Sequence, residues 1–304
     1  MKQKTSMAWT LGVTTLLVLS TASPVLAESD TPRIDDVSAI RAVAPGSLES
    51  VVPDAGIGVD SVDAEGGAVL VSVPSDPLSG ISVDSGPRVT VGLPFAAEAD
   101  DAASIGDGFV GYDNGNGTSS VPVVHRDGAA QVLTVIDDAI APTEFRYPVG
   151  LPSGDRLVED EDGGGARIVD SAGETVGVFA APWATDATGR SVSTHYSIDA
   201  NELVQTVDHR VSGIVYPVVA DPTYKTYTFY YSRSDVESVY AGIQNINNVC
   251  KWIPLPYLAS IGCSAPGNFE DAILSAHYRK RRVKAPYHEC GYTYCNYYTY
   301  SVVV

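Results

Sequence analysis

Five cations stand within six residues near the end of this 304-residue sequence, Arg279, Lys280, Arg281, Arg282 and Lys284, and Tyr287, Tyr292, Tyr294, Tyr297, Tyr298 and Tyr300 follow them. Clustered guanidinium and ammonium groups bind anions, and tyrosines beside them suit the interface of an anionic surface such as phospholipid or a cell-wall polymer. Arg279, Lys280, Arg281, Arg282, Lys284, Tyr292 and Tyr294 are therefore the candidate surface-binding residues. The same run also reads as the solvated end of a helix beside a tyrosine-faced hairpin. Aromatics can stack nucleobases, but the formal charge of −18 makes nucleic acid a poor partner.

That charge is unevenly spread. From Pro222 onward there are eight Lys/Arg against five Asp/Glu, so nearly all the acidity precedes this point. The contrast raises the expectation of an intramolecular contact between an acidic body and a basic tail, although exposed charges are screened beyond about 8 Å.

Catalytic signals are thin. Neither a Gly-x-Ser-x-Gly elbow, a His-Glu-x-x-His pair nor a phosphate-cradling loop occurs. His195 and His209 fall on expected strands near Asp199 and Asp208, which keeps open a Ser/His/Asp set and, with it, an extracellular hydrolase as the alternative reading. Asp160-Glu161-Asp162 could supply paired carboxylates, but beside three glycines it reads as a solvated loop. Asp113-Asn114-Gly115-Asn116-Gly117 has the look of a calcium loop, yet its twelfth position is Val124 rather than Glu, and a hairpin turn fits better. No metal or cofactor is expected, and the preferred reading is a non-enzymatic protein.

Cys250, Cys263, Cys290 and Cys295 all lie in the tail, and four cysteines allow three pairings. Adjacent pairing is preferred, Cys250 with Cys263 and Cys290 with Cys295. A zinc site drawing on Cys290, Cys295, His277 or His288 competes, but no Cys-x-x-Cys is present.

Positioning these groups requires two kinds of structure. Short β-branched runs at residues 88–91, 121–124, 131–136, 166–169, 175–179, 203–207 and 214–216, separated by Gly/Asp/Asn turns, predict an antiparallel sandwich or barrel over 88–222. Trp183 is expected to be largely buried in it, and Asp221-Pro222 to lead the chain out of the sheet. Residues 28–87 read as a partly disordered leader with one strand at 68–73. The tail, 223–304, reads as a small α+β, disulfide-stapled module. In it a capping box at Ser234 and Glu237 opens one helix, a second begins near Asn268, and a hairpin follows Pro286.

Lys2 and Lys4, the apolar run 7–19 and Val25-Leu26-Ala27 form a secretory signal pattern, with cleavage expected after Ala27 and a secreted product.

The stretch containing Tyr112-Asp113-Asn114-Gly115, Ala181-Pro182-Trp183-Ala184-Thr185-Asp186, Thr194-His195-Tyr196 and Tyr216-Pro217-Val218-Val219-Ala220-Asp221-Pro222 resembles a β-domain of uncharacterised secreted actinobacterial proteins. Its closing Tyr-Pro-Val-x-x-Asp-Pro is similar to the motif ending β-domains ahead of repeats in Rhs-type and other cell-wall-associated proteins. Arg233-Ser234-Asp235, Cys250, Pro254, Cys263 and the helix around Phe269 resemble, in order, the C-terminal part of small secreted actinobacterial proteins. The resemblance implies a secreted structural module and carries over no catalytic residue.

Overall fold

The computed structural model describes residues 35–49, 51, 62–63, 69–86, 88–126, 128–160, 164–243, 268–288 and 297–304. The signal segment, the four cysteines, Tyr292, Tyr294, Glu161 and Asp162 lie outside them, so the expectations resting on those residues do too. Among the described residues the strands form three antiparallel sheets, and the architecture is mainly β and sandwich-like, as the turn spacing predicts.

The first sheet has seven strands, ordered Val62–Asp63, Leu70–Ser72, Ile81–Asp84, Arg88–Val91, Glu144–Gly150, Glu202–Val207 and Thr194–Asp199. Along Glu144–Gly150, Phe145, Tyr147 and Val149 are buried while their neighbours face solvent, the period-two pattern of a sheet with one wet face. The segment read as a partly disordered leader contributes to this sheet both the strand expected at 68–73, here Leu70–Ser72, and an unexpected one, Ile81–Asp84. The segment's Val69, Val71, Val73, Ile81 and Val83 all enter the main core, and this inward alternation outweighs the polar composition between them.

The second sheet runs Arg156–Glu159, Ala166–Val169, Thr175–Phe179, Thr223–Thr226, Ala130–Ile136, Thr118–Val124, Phe109–Asp113 and Ala103–Gly106. Val218–Ala220 also pairs with Ala130–Ile136, and Ala184–Asp186 pairs with Val218–Ala220. Thr118–Val124 and Ala130–Ile136 are buried at every position, which requires cover on both faces. Val124, Val132 and Ile136 join Phe145 and Tyr147 in the main core. Val121, Val123, Leu133 and Val135 form a second core with Val37, Ile40 and Val43 of helix α1, Asp35–Val43. Each such side chain contributes about 1.5–3 kcal/mol when fully buried, so this short helix is held by packing rather than propensity. Trp183 is only half-buried, against this outer core, because it precedes a side strand instead of entering the space between the sheets.

Two turns differ in outcome. Asp113 to Gly117 closes a hairpin: Gly115 and Gly117 take positive φ, and the buried Asn114 donates to Thr118 Oγ1 at 2.9 Å. Asp221-Pro222, in contrast, does not expel the chain. Val218–Ala220 pairs with residues 136 to 134 of the neighbouring strand, Val132 N donates to the Pro222 carbonyl, and Thr223 and Tyr224 resume opposite Gln131 and Ala130. The missing proline N–H is absorbed within a strand that continues.

The tail folds as a small α+β layer. Thr228–Tyr231 pairs with Arg282–His288, which pairs in turn with Tyr297–Tyr298 and Ser301–Val303. Helices α2, Arg233–Ile243, and α3, Phe269–Arg279, cover it with Val236, Val239, Phe269, Ala272, Ile273 and Ala276. These residues belong to the same core as the sandwich. The capping box sits two residues before the expected place: Asp235 N donates to Ser232 Oγ at 3.1 Å and Ser232 N to Asp235 Oδ2 at 2.8 Å. Glu237 is thereby free to reach His277.

Candidate functional site

Helix α3 ends in a reversal that sorts the five cations. Lys280 takes the left-handed conformation (φ 52°), its N–H and that of Arg281 returning to the His277 and Ala276 carbonyls. This is a Schellman-type stop built on a residue other than glycine. Strand Arg282–His288 starts at once, so the basic run is divided between a helix end, a turn and a strand.

The division gives the cations different partners. Lys284 points toward the sandwich, where Nζ donates to Asp170 Oδ2 at 2.9 Å and Glu174 Oε2 at 2.7 Å, with its side chain only 12% exposed. Burial alone would lower its pKa, but the hydrogen bonds to Glu174 and Asp170 outweigh that and raise it. Burial likewise works to raise Asp170, and Lys284 with the amides of Glu174 and Ala172 brings it below its ordinary value. Arg282 donates from Nε and Nη2 to the Val304 carbonyl at 3.1 and 2.9 Å and lies 5.8 Å from the Tyr230 ring centroid. Arg279, Lys280 and Arg281 are exposed and form no ion pair among the described residues. Of the candidates within the described residues, the structure leaves these three available and assigns Lys284 to the fold.

The α3 surface beside them carries two side chains that the sequence reading passed over. Leu274 and Tyr278, four residues apart on one helix face, are 45% and 71% exposed. The Tyr278 ring lies edge-on to Tyr240 at 6.4 Å between centroids and its hydroxyl raises the Tyr240 phenol pKa, while Tyr240 stacks on His277 at 3.8 Å between centroids and 9° between planes. His277 Nδ1 lies 2.8 Å from Glu237 Oε2. The signal was in the sequence, as the off-stripe apolar positions of an otherwise amphipathic helix.

The catalytic candidates are not brought together. His195 is exposed on the edge strand, and His209 is buried in a loop rather than on a strand. His209 Nε2 donates to the Pro142 carbonyl at 2.9 Å and Nδ1 lies 2.9 Å from the Tyr216 hydroxyl, so both ring nitrogens are used. Asp208 accepts directly from Ser193 at 2.9 Å with no histidine between them, and Asp199 accepts from Arg146 at 3.0 Å. Asp160 lies 3.6 Å from Arg167. An open groove of about 460 Å³ on the outer sheet face is lined by His125, Gln131, Thr223 and Lys225 among others, with His125 Nε2 3.0 Å from Gln131 Oε1 and no carboxylate among its described lining. Among the described residues no three His, Cys, Asp or Glu side chains converge as metal ligands.

One titratable group missed at the sequence level is Asp221. It is fully buried, accepting from Trp183 N and Thr223 Oγ1 at 3.0 Å each, with the Tyr196 hydroxyl nearby. Burial pushes its pKa up to about 7, against the lowering effect of those hydrogen bonds. Across the sheet interface Tyr147 pairs with Thr134 at 2.8 Å. This polar cluster joins the two sheets, and a solute could reach it only if they parted.

No helix among the described residues is long and apolar enough to cross a membrane. No known protein family, curated protein or solved structure matches the chain.

Proposed function

We propose that this is a secreted, non-enzymatic protein whose acidic β-sandwich carries a basic C-terminal layer to an anionic cell surface. The observation that supports the reading is the corner formed by Arg279, Lys280 and Arg281, three exposed cations without ion-pair partners among the described residues, on a chain of net charge −18. On such a molecule the field of this basic corner favours meeting an anionic surface corner first. In this reading the first 27 residues are removed on export, in keeping with the resemblance to secreted actinobacterial β-domains. Oxidation then pairs Cys250 with Cys263 and Cys290 with Cys295, and the disulfides staple the tail. Lys284 holds that tail against the sandwich.

The test uses residues 28–304, which contain every described element, mixed with anionic vesicles, neutral vesicles and isolated cell wall. Binding to an anionic surface that is lost when Arg279, Lys280 and Arg281 are changed together to Gln supports the proposal. Unchanged binding by that variant would overturn it. Three cations contribute about 3 kcal/mol at an anionic membrane, roughly a hundredfold enrichment, so binding should weaken steeply with salt.

A further inference from the structure

Resting on that reading, we infer that the anionic surface is a phospholipid bilayer, entered by Leu274 and Tyr278, rather than a soluble or wall-bound polymer. A polymer of phosphates is held by charge, and an exposed leucine gains nothing from it. The boundary between headgroups and acyl chains takes both charge and apolar surface, with tyrosine favoured at that depth. The C-terminal half of α3 offers this combination. Leu274 and Tyr278 share a face, and Arg279, Lys280 and Arg281 follow where the helix stops. Acidic residues of α3, Glu270 and Asp271, sit in its first turn at the opposite end. The helix therefore has polarity: its C-terminal end dips while its acidic start stays in water.

Rigidity adds to the case. The exposed ring of Tyr278 is held edge-on against Tyr240 and His277, which stack on each other. A side chain already fixed loses little conformational freedom on insertion. Electrostatics and apolar insertion also respond differently to salt, since screening weakens only the first.

The decisive experiment compares residues 28–304 with the double variant Leu274→Ser/Tyr278→Ser on vesicles of phosphatidylglycerol and phosphatidylcholine and on soluble polyglycerol phosphate. The expected result is a roughly ten- to hundredfold loss of vesicle partitioning in the double variant, with residual parental binding at high salt that the variant lacks. Both positions are exposed, and matching circular dichroism and thermal melts would establish that the variant is folded. Equal vesicle binding by parent and variant overturns lipid insertion while leaving the basic-corner reading intact. Parental binding to polyglycerol phosphate but not to vesicles does the same. Parental binding to neither anion overturns both.

Discussion

The main-chain N–H of Trp183 donates to Asp221 Oδ1 at 3.0 Å, joining residues 38 positions apart where Ala184 pairs with Ala220. The acceptor is a buried acid whose pKa rises to about 7 through burial. Because that value exceeds the unfolded one near 3.9, the folded chain holds the proton more tightly. The associated stability is fully present below about pH 3.9 and is lost as pH rises through about 7, a span on the order of 4 kcal/mol. Asp221→Asn keeps an acceptor for Trp183 and has no charge to desolvate. Urea melts should show little difference from the parent at pH 4 and a gain of a few kcal/mol at pH 8. Parallel pH profiles would show that Asp221 titrates normally.

His209 works in the opposite direction. Burial lowers its pKa, so its contribution is present above about pH 6.5 and is lost as pH falls through the folded-state value. His209→Phe removes the links to Pro142 and Tyr216 and should cost about 2 kcal/mol at pH 8. At pH 5 the parent is itself weakened, so the difference in melting between the two should narrow. A difference that widens on acidification would contradict this.

Lys280 occupies a backbone conformation that glycine adopts without strain. Lys280→Gly should therefore raise stability by up to about 1 kcal/mol while removing one of the three available cations and weakening binding to anionic vesicles. Thermal melts and vesicle sedimentation on the same sample separate the effects. A destabilised variant would mean that the lysine side chain contributes more than the turn costs.

Lys284→Gln leaves Asp170, which is largely covered, without its cation. The expected loss is about 1–3 kcal/mol, limited by the exposure of Glu174 on the other side of the pair. Glu174→Gln should cost less. If Lys284→Gln instead weakens vesicle binding with no change in urea midpoint, Lys284 belongs to the surface and not to the fold.

The sandwich-like body was legible because its strands are short, β-branched and bounded by turn residues, as at Thr118–Val124 and Ala130–Ile136. Helix α3 was legible from Phe269, Ala272, Ile273 and Ala276 and from its acidic start. Before Pro87 the strand at Leu70–Ser72 was legible within 68–73, whereas Ile81–Asp84 was obscured because Ile81 and Val83 are interleaved with serine and aspartate, and their inward alternation emerges only against Arg88–Val91. Asp221 was hidden for a different reason. An Asp-Pro step ordinarily ends a strand, and only pairing with Ala130–Ile136 carries the chain through it. The sorting of the basic run could not be read either, since Lys284 meets Asp170 and Glu174 across more than a hundred residues of sequence.

Helix α1 near the start of the chain rests on a sheet that includes Val219, and Tyr298 and Tyr300 near its end complete the main core. The order in which the ribosome releases these parts is thus the reverse of convenient: the first apolar turn emerges long before the strand that receives it. With so many contacts between distant segments, refolding should be slow, and a growing chain should stay unlocked until Tyr298 and Tyr300 appear. Stopped-flow refolding should find it in the millisecond-to-second range or slower, while a microsecond phase with full amplitude would exclude the idea. Late locking keeps the chain a thread for as long as the strand carrying Tyr298 is missing, and any partner that handles it during synthesis meets that thread and not a finished sandwich.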